Sequence, residues 1–187
     1  MRIALLGGSF DPPHNAHQLA CQHLLEDEGF DRVWLLPCYQ HAFGKALTHF
    51  SHRLEMCALS AKKFSGRVVV SEVEQNLAGE DGNRTIDTVE YLQAHHPQEE
   101  FTLVIGSDIL SELDGWKDVD RLKNLVPFLV LGRSGFKEPT QLPQSPVTLP
   151  EISSSQVREL LRAGRPVRDL VPEEVASYIR ENSLYRS

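Results

Sequence analysis

The sequence predicts an α/β protein built on a doubly wound parallel sheet. Three observations carry that expectation. Short apolar runs alternate with longer amphipathic segments along most of the chain. The runs are apolar at consecutive positions, as strands covered on both faces require. The 187 residues, 41% hydrophobic and 24% charged, are enough to bury a core beneath two helical layers. Right-handed crossovers then wind the helices onto both sides of the sheet.

The first strand is Arg2 to Leu6, which runs straight into Gly7 and Gly8. Ala16 to Leu25 follows as a helix with Leu19, Ala20 and Leu24 on one stripe. Arg32 to Leu36 is the second strand, and Ser51 to Phe64 is the next helix, with Leu54, Ala58, Leu59 and Ala61 aligned. Arg67 to Ser71 reads as the third strand and Thr85 to Ala94 as the helix after it, carrying Ile86, Val89 and Leu92. Phe101 to Ile105 and Phe128 to Leu131 complete the apolar runs. Gly132 to Pro150, interrupted by Pro139, Pro143 and Pro146, reads as a long connection with a short strand at Val147 to Leu149. Two helices close the chain. One starts at the cap-like Ser153-Ser154-Ser155 and stops at Gly164, and the other takes Pro172 as its first residue. No repeat or linker divides residues 1–187, so a single domain is expected.

Charge and cysteine content narrow the setting. Lys and Arg number 19 against 26 Asp and Glu, a net charge of −7. A polymer of nucleic acid calls for clustered cations, so a nucleic-acid partner is not expected. Small phosphorylated ligands remain open, because a few local cations and backbone N–H groups suffice for them. No run approaches the ~18 apolar residues of a membrane span. Cys21, Cys38 and Cys57 are odd in number and lack C-x-x-C spacing, which fits a reducing cytoplasm. Nothing in the pattern specifies an oligomeric state.

The strongest chemical signal is the turn after the first strand, Gly7-Gly8-Ser9-Phe10-Asp11-Pro12-Pro13-His14-Asn15-Ala16-His17. In a doubly wound sheet, ligands sit outside the carboxyl ends of the strands where the winding reverses. Gly7 and Gly8 let a ligand approach the backbone, and the helix start adds free N–H groups. His14 and His17, three residues apart, point to one side of that start. Neither G-x-x-x-x-G-K-S/T nor G-x-G-x-x-G occurs, so this is neither a P-loop nor a dinucleotide fingerprint. No cysteine or third histidine stands at ligand spacing, so no protein-held metal site is expected and the histidines read as phosphate-handling groups.

This stretch closely resembles the G-G-S/T-F-D-P-x-H-x-G-H signature of the nucleotidyltransferase superfamily, with Ala16 in place of the second-last glycine. Ile152-Ser153-Ser154-Ser155-Gln156-Val157-Arg158 resembles that superfamily's I-S-S-T-x-I-R, keeping a hydroxyl at the threonine position. Within it, Leu103 to Leu110 followed by Trp116, Arg84 to Thr88, and Val171 to Ile179 with Leu184-Tyr185 are similar to segments of the bacterial nicotinate-nucleotide adenylyltransferases. The resemblance implies a Rossmann-like fold and an enzyme that joins ATP to nicotinate mononucleotide, giving deamido-NAD and pyrophosphate with Mg²⁺.

It also implies roles. His14, His17, Lys45 and Arg158 would be the catalytic set. Gly8, Ser9, Phe10, Gly106, Asp108, Ile152, Ser154 and Ser155 would hold ATP. Thr85, Trp116 and Arg133 would face the pyridine nucleotide, although Thr85 serves equally well as a helix N-cap and Trp116 as a core or surface tryptophan. Arg53 matches the arginine of the family's R-x-x-M. Lys45, Arg53, Arg133 and Arg158 are thus expected to make a local positive patch. Two departures stand out. The family's P-P-H-K loop is replaced by Pro37-Cys38-Tyr39-Gln40-His41-Ala42-Phe43-Gly44-Lys45, and its R-P-G by Arg133-Ser134-Gly135. The first borders the pyridine pocket and leaves nicotinamide mononucleotide open as the substrate instead. The first-turn motif also fits another small adenylyltransferase, such as one acting on phosphopantetheine. A non-catalytic nucleotide-binding protein is the competing reading outside the enzymes.

Overall fold

Side-chain alternation along the strands divides the interior into two faces. In the computed structural model, β1 (Arg2–Gly8) sends Ala4 and Leu6 to one side of the sheet and Ile3 and Leu5 to the other. The structure describes residues 1–40, 46–79, 83–136 and 139–186. Its other strands are β2 (Arg32–Pro37), β3 (Val68–Val70), β4 (Glu100–Gly106), β5 (Phe128–Arg133) and β6 (Gln144–Leu149). They form one six-stranded sheet in the order β3-β2-β1-β4-β5-β6, and every pairing is parallel. The expected doubly wound fold is therefore present. The chain winds outward from β1 to β3, then returns to the far side of β1, so the winding reverses between β1 and β4.

Helices cover both faces. On one, α1 (Asn15–Glu26) and α2 (Phe50–Ala61) bring Ala20, Cys21, Leu24, Cys57 and Ala61 onto Ala4, Val33, Leu35 and Val104. On the other, α4 (Thr85–His95) and α6 (Val119–Leu125), with the one-turn α3 (Val73–Asn76) and α5 (Leu110–Leu113), pack onto Ile3, Leu5, Leu103 and Val130. The last two helices, α7 (Ser154–Arg162) and α8 (Glu173–Glu181), build a third cluster with Met56, which α2 turns away from the sheet. That makes α2 the middle layer between the sheet and the C-terminal helices.

Several boundaries differ from expectation. The Gly132 to Pro150 segment is not one connection. β5 continues through Arg133, and β6 covers six residues rather than three. β6 lies at the sheet edge, where Pro146 forgoes no ladder bond needed by an outer neighbour. His23 fastens this edge to α1, with its Nε2 2.6 Å from Ser145 Oγ and its Nδ1 2.7 Å from Asp27. Pro172 caps α8 instead of opening it, and Arg84, not Thr85, is the cap residue of α4. Ser153 caps α7 by accepting from Gln156 N–H at 3.1 Å, as its position suggested. Gly164, at φ 66°, closes that helix, and Arg165 N–H donates back to Leu160 at 2.8 Å.

Gly132 tests the β5–β6 pairing. A Cβ there would stand 2.6 Å from the Val147 carbonyl oxygen, a backbone atom of the paired strand that cannot move aside without disturbing the pairing. Gly132→Ala is expected to destabilise the fold by about 1–3 kcal/mol in urea unfolding. Gly79→Ala, where a Cβ meets nothing within 4 Å, should stay within about 0.5 kcal/mol of the parent. Equal stability of the two variants would show that β6 is not held against β5 as described.

Candidate active site

The turn between β1 and α1 is shaped from outside by donors to its carbonyl groups. Arg53 Nη1 donates to Ser9 O at 2.9 Å, Arg158 Nη1 to Asp11 O at 2.6 Å, and Ser154 Oγ to Pro12 O at 2.9 Å. Because a peptide unit is planar and trans, a Ser9 carbonyl turned to Arg53 sends the Phe10 N–H the opposite way. Phe10 itself is left-handed, at φ 46°, a conformation that costs a bulky residue about 1–2 kcal/mol. Burial of its ring offsets that cost: Phe10 is 1% exposed, lies in the first core cluster and meets the His17 ring at 4.8 Å. Gly8 has to be small here, since a Cβ would come within 3.3 Å of that ring.

His14 and His17 are brought together as the sequence suggested. Their rings stack with centroids 3.7 Å apart. His14 is the N-cap of α1, and its N–H donates to His17 Nδ1 at 3.1 Å. That bond needs Nδ1 of His17 as an acceptor, which leaves the ring proton on Nε2. Burial, reinforced by the Arg133 charge, pushes the His14 pKa down to about 3. Burial, then His14 and Arg133, push His17 down as well. The pair is therefore neutral at pH 7. His14 Nδ1 is buried without a hydrogen-bond partner among the described residues.

The carboxyl end of β4 forms the opposite wall. Gly106 passes so close to Asp108 and to the Arg133 stem that a side chain would collide with the Asp108 carboxylate. Arg133 pairs with Asp108 through Nη1 and donates from Nη2 to the Ile152 carbonyl. Its backbone N–H donates to Ser107 Oγ at 2.9 Å. Arg133, placed by the sequence with the pyridine-facing residues, is thus joined to Asp108 and Ile152. At the start of α7, Arg158 Nη2 donates to Ser155 Oγ at 3.1 Å while Nη1 holds the turn.

Arg53 corrects one expectation. The sequence groups it with the cations facing a ligand, but it is 1% exposed and spends its donors on four carbonyls: Ser9, Cys38, Tyr39 and Thr48. It is an internal clamp, not part of a positive patch. Lys45 lies outside the described residues. Trp116 packs one side against the second core cluster and is part-buried. Thr85 sits at the first position of α4. Among the described residues, no hydrogen bond or ring contact joins either of them to the histidine turn. A groove of about 560 Å³ lies beside the turn, lined by Tyr39, Thr48, Phe50, Arg53 and Gln75 among others, and neither Thr85 nor Trp116 lines it.

Comparison with known proteins places the chain in a family. Residues 5–160 fit the cytidylyltransferase-like family. A probable nicotinate-nucleotide adenylyltransferase of Anaeromyxobacter dehalogenans (strain 2CP-1) is 45% identical over 185 residues, covering 98% of this chain and 96% of the relative. The nicotinate-nucleotide adenylyltransferase of Bacillus subtilis (strain 168) is 34% identical over 191 residues, covering 100% and 99%. The chain belongs to the nicotinate-nucleotide adenylyltransferase family. In fold it is similar to the nicotinic acid mononucleotide adenylyltransferase of Plasmodium falciparum, solved in complex with NaAD, at a TM-score of 0.84 and 22% identity over 98% of this chain and 97% of that one.

Some residues of this family member were not singled out by sequence reasoning. Asp11, 2% exposed, receives Tyr185 Oη–H on Oδ1 at 2.6 Å and Thr48 N–H on Oδ2 at 3.3 Å. Glu74 accepts from Tyr39 N–H at 3.3 Å at the edge of the groove, and burial raises its pKa to about 7. Asp11 stands inside the quoted signature and could have been found there. Glu74 carries no local signal.

The neutral histidines have a consequence for stability. Between pH 6.5 and about 3 the unfolded chain binds a proton at His14 that the folded chain refuses. His14 therefore weakens the fold as pH falls through that window, and stability rises with pH across it. Between pH 7 and 4.5 its share is about 2–3 kcal/mol. His14→Gln should lose that much less stability than the parent over the same interval in urea unfolding. Parallel losses would show that His14 takes up its proton inside the fold.

Proposed function

We propose that this chain transfers the adenylyl group of ATP to nicotinate mononucleotide, forming deamido-NAD and pyrophosphate. The observation that carries the reading is the convergence of neutral His14 and His17 with the guanidiniums of Arg133 and Arg158 around one strand-to-helix turn. Adenylyl transfer is an in-line displacement at the α-phosphate, and it asks a protein to align reactants and to neutralise developing charge. No nucleophilic side chain is needed.

His17, with its Nδ1 engaged by the chain, offers Nε2–H to a phosphate oxygen. His14 meets the same phosphates through its unpartnered edge. Neutral imidazoles donate without demanding a counterion when the nucleotide is absent. Arg158, held at the start of α7, supplies the full positive charge, and Lys45 adds a second. Gly8, Ser9 and Phe10 line the turn against the nucleotide. Gly106 and Asp108 face the ribose from β4, with Arg133 orienting Asp108, and Ile152, Ser154 and Ser155 close the adenine side. Trp116 offers a flat apolar surface to the pyridine ring, and Thr85 a hydroxyl donor to its substituent.

The Mg²⁺ of this reaction arrives with ATP. Among the described residues, no group of three or more His, Cys, Asp or Glu side chains is placed to hold an ion. The one carboxylate at the turn, Asp11, has both oxygens engaged by Tyr185 and Thr48. The residues present fit phosphate oxygens rather than a resident metal. Residues 1–187 act as one domain in this reading. A cytoplasmic setting agrees with three free cysteines and with the absence, among the described residues, of a helix long and apolar enough to cross a membrane.

Pyrophosphate release from ATP and Mg²⁺ tests the reading, with nicotinate mononucleotide, nicotinamide mononucleotide and phosphopantetheine as separate acceptors. Release is expected with nicotinate mononucleotide, and silence with both pyridine nucleotides overturns the proposal. His17→Ala should lower kcat about 100-fold while the protein stays folded. Trp116→Ala should raise KM for the pyridine substrate about fivefold, leaving KM for ATP within about twofold.

A further inference from the structure

The chain beyond α8 does more than end. Ser183 and Tyr185 are both left-handed, at φ 53° and 61°, and Leu184 N–H donates back to Ile179 O at 3.0 Å. The turn so formed brings the tail back over the site and places Tyr185 against Asp11, 174 residues away. Left-handed backbone at two non-glycine residues costs about 1–2 kcal/mol apiece, so the contacts at the end of the tail must outweigh it. Leu184 and Tyr185 pack on the third cluster, and the tyrosine hydroxyl makes a 2.6 Å bond to Asp11 Oδ1.

That bond sits at a junction. Asp11 is buried at the centre of the turn, and its Oδ2 accepts Thr48 N–H. The Arg158 guanidinium lies 4.0 Å from Oδ2, close enough to be attracted and too far to be hydrogen-bonded. Arg158 instead donates to the Asp11 backbone carbonyl and to Ser155 Oγ. The carboxylate thus stands beside the described guanidinium that would meet phosphate charge, yet does not capture it.

We propose that Tyr185 is a positioning residue for Arg158: its hydroxyl occupies Asp11 Oδ1 and holds the carboxylate in an orientation that leaves the guanidinium available to the nucleotide. Without that donor, Asp11 Oδ1 is a buried acceptor with no partner, and the nearest free charge is Arg158. The carboxylate turns toward it and forms a direct ion pair, and the cation that should meet the triphosphate is consumed. Tyr185 is suited to the task because burial and the neighbouring carboxylate raise its pKa, so it remains a donor at any working pH. The inference rests on the adenylyl-transfer reading for the meaning of Arg158, but its physical content is an effect on ATP binding.

The test is a double-mutant cycle of Tyr185→Phe and Arg158→Ala, read by calorimetric titration with MgATP and by thermal unfolding. Tyr185→Phe is expected to weaken ATP binding about tenfold, the equivalent of one charge-assisted hydrogen bond. Arg158→Ala should weaken it at least as much, and the double variant should bind within about twofold of Arg158→Ala alone. Losses that multiply overturn the proposal, because Tyr185 would then act independently of Arg158. A lowered Tm with unchanged ATP affinity also overturns it, because the tail would then be a structural strap only. If the cycle shows the expected coupling while the parent releases no pyrophosphate with either pyridine nucleotide, the failure belongs to the assigned reaction and not to Tyr185.

Discussion

Arg53 carries a full charge where water hardly reaches it and, among the described residues, has no carboxylate bonded to it. Its compensation is four backbone carbonyls contributed by three places: the turn after β1, the stretch after β2 and the entrance of α2. A buried guanidinium left unsatisfied costs several kcal/mol, so those segments are obliged to keep their carbonyls in place. The site inherits its shape from that obligation. The Ser9 carbonyl is turned outward, Phe10 is held left-handed, and Thr48 is brought near enough for its N–H to reach Asp11. Arginine suits the position because one rigid fork addresses several acceptors at once, which a lysine ammonium cannot do across the same span.

The electrostatics of the site follow a second rule, that neutral or paired groups surround the turn wherever they will serve. The two histidines are buried beside Arg133 and stay neutral. Arg133 is paired with Asp108, and Arg53 is enclosed by carbonyls. Arg158 remains among the described cations without an oxygen anion in hydrogen-bond reach, and even it is restrained by a backbone carbonyl. This bears on the net charge of −7. An acidic surface repels nucleotides at long range, though screening confines that effect to roughly 8–10 Å at ordinary ionic strength. At close range, guanidiniums and backbone dipoles act in a medium of low polarity, where their attraction for an anion is stronger than over the surface.

Much of the fold was legible because strands buried on both faces leave unbroken apolar runs, and the five such runs became β1 to β5. The sixth strand was legible only in its second half, Val147 to Leu149, because its edge position tolerates Pro146 and lets residues 144–146 read as a connection. The one-turn helices α3 and α5, and the seven-residue α6, are too short for a helical period to show. The turn from Gly8 to His17 was legible as a motif, and so was the cap at Ser153. The role of Arg53 was not. A residue pattern states that an arginine is required, and only packing states whether it faces a ligand or the carbonyls behind it. Contacts such as Tyr185 to Asp11 span nearly the whole chain, and although both residues stand in recognisable segments, neither segment states that the two side chains meet.

The C-terminal helices explain why a site built at the switch point depends on residues so far along the chain. Their cluster of Val157, Val167, Val171, Val175 and Ile179 meets the rest of the core through Met56 on α2 and does not rest on the sheet. Sheet stability alone would not require it. What the cluster holds in register is a set of polar contacts on one side of the turn: Ser154 to Pro12, Arg158 to Asp11, the Leu170 carbonyl to Asn15 N–H, and Tyr185 to Asp11. The sheet face fixes α2, α2 fixes the turn through Arg53 and the C-terminal helices through Met56, and those helices return to the same turn. The loop of contacts closes on the stretch from Asp11 to Asn15. Any shift of α2 therefore reaches the turn by two routes at once, which is a physical reason for a buried charge to be tolerated at its centre.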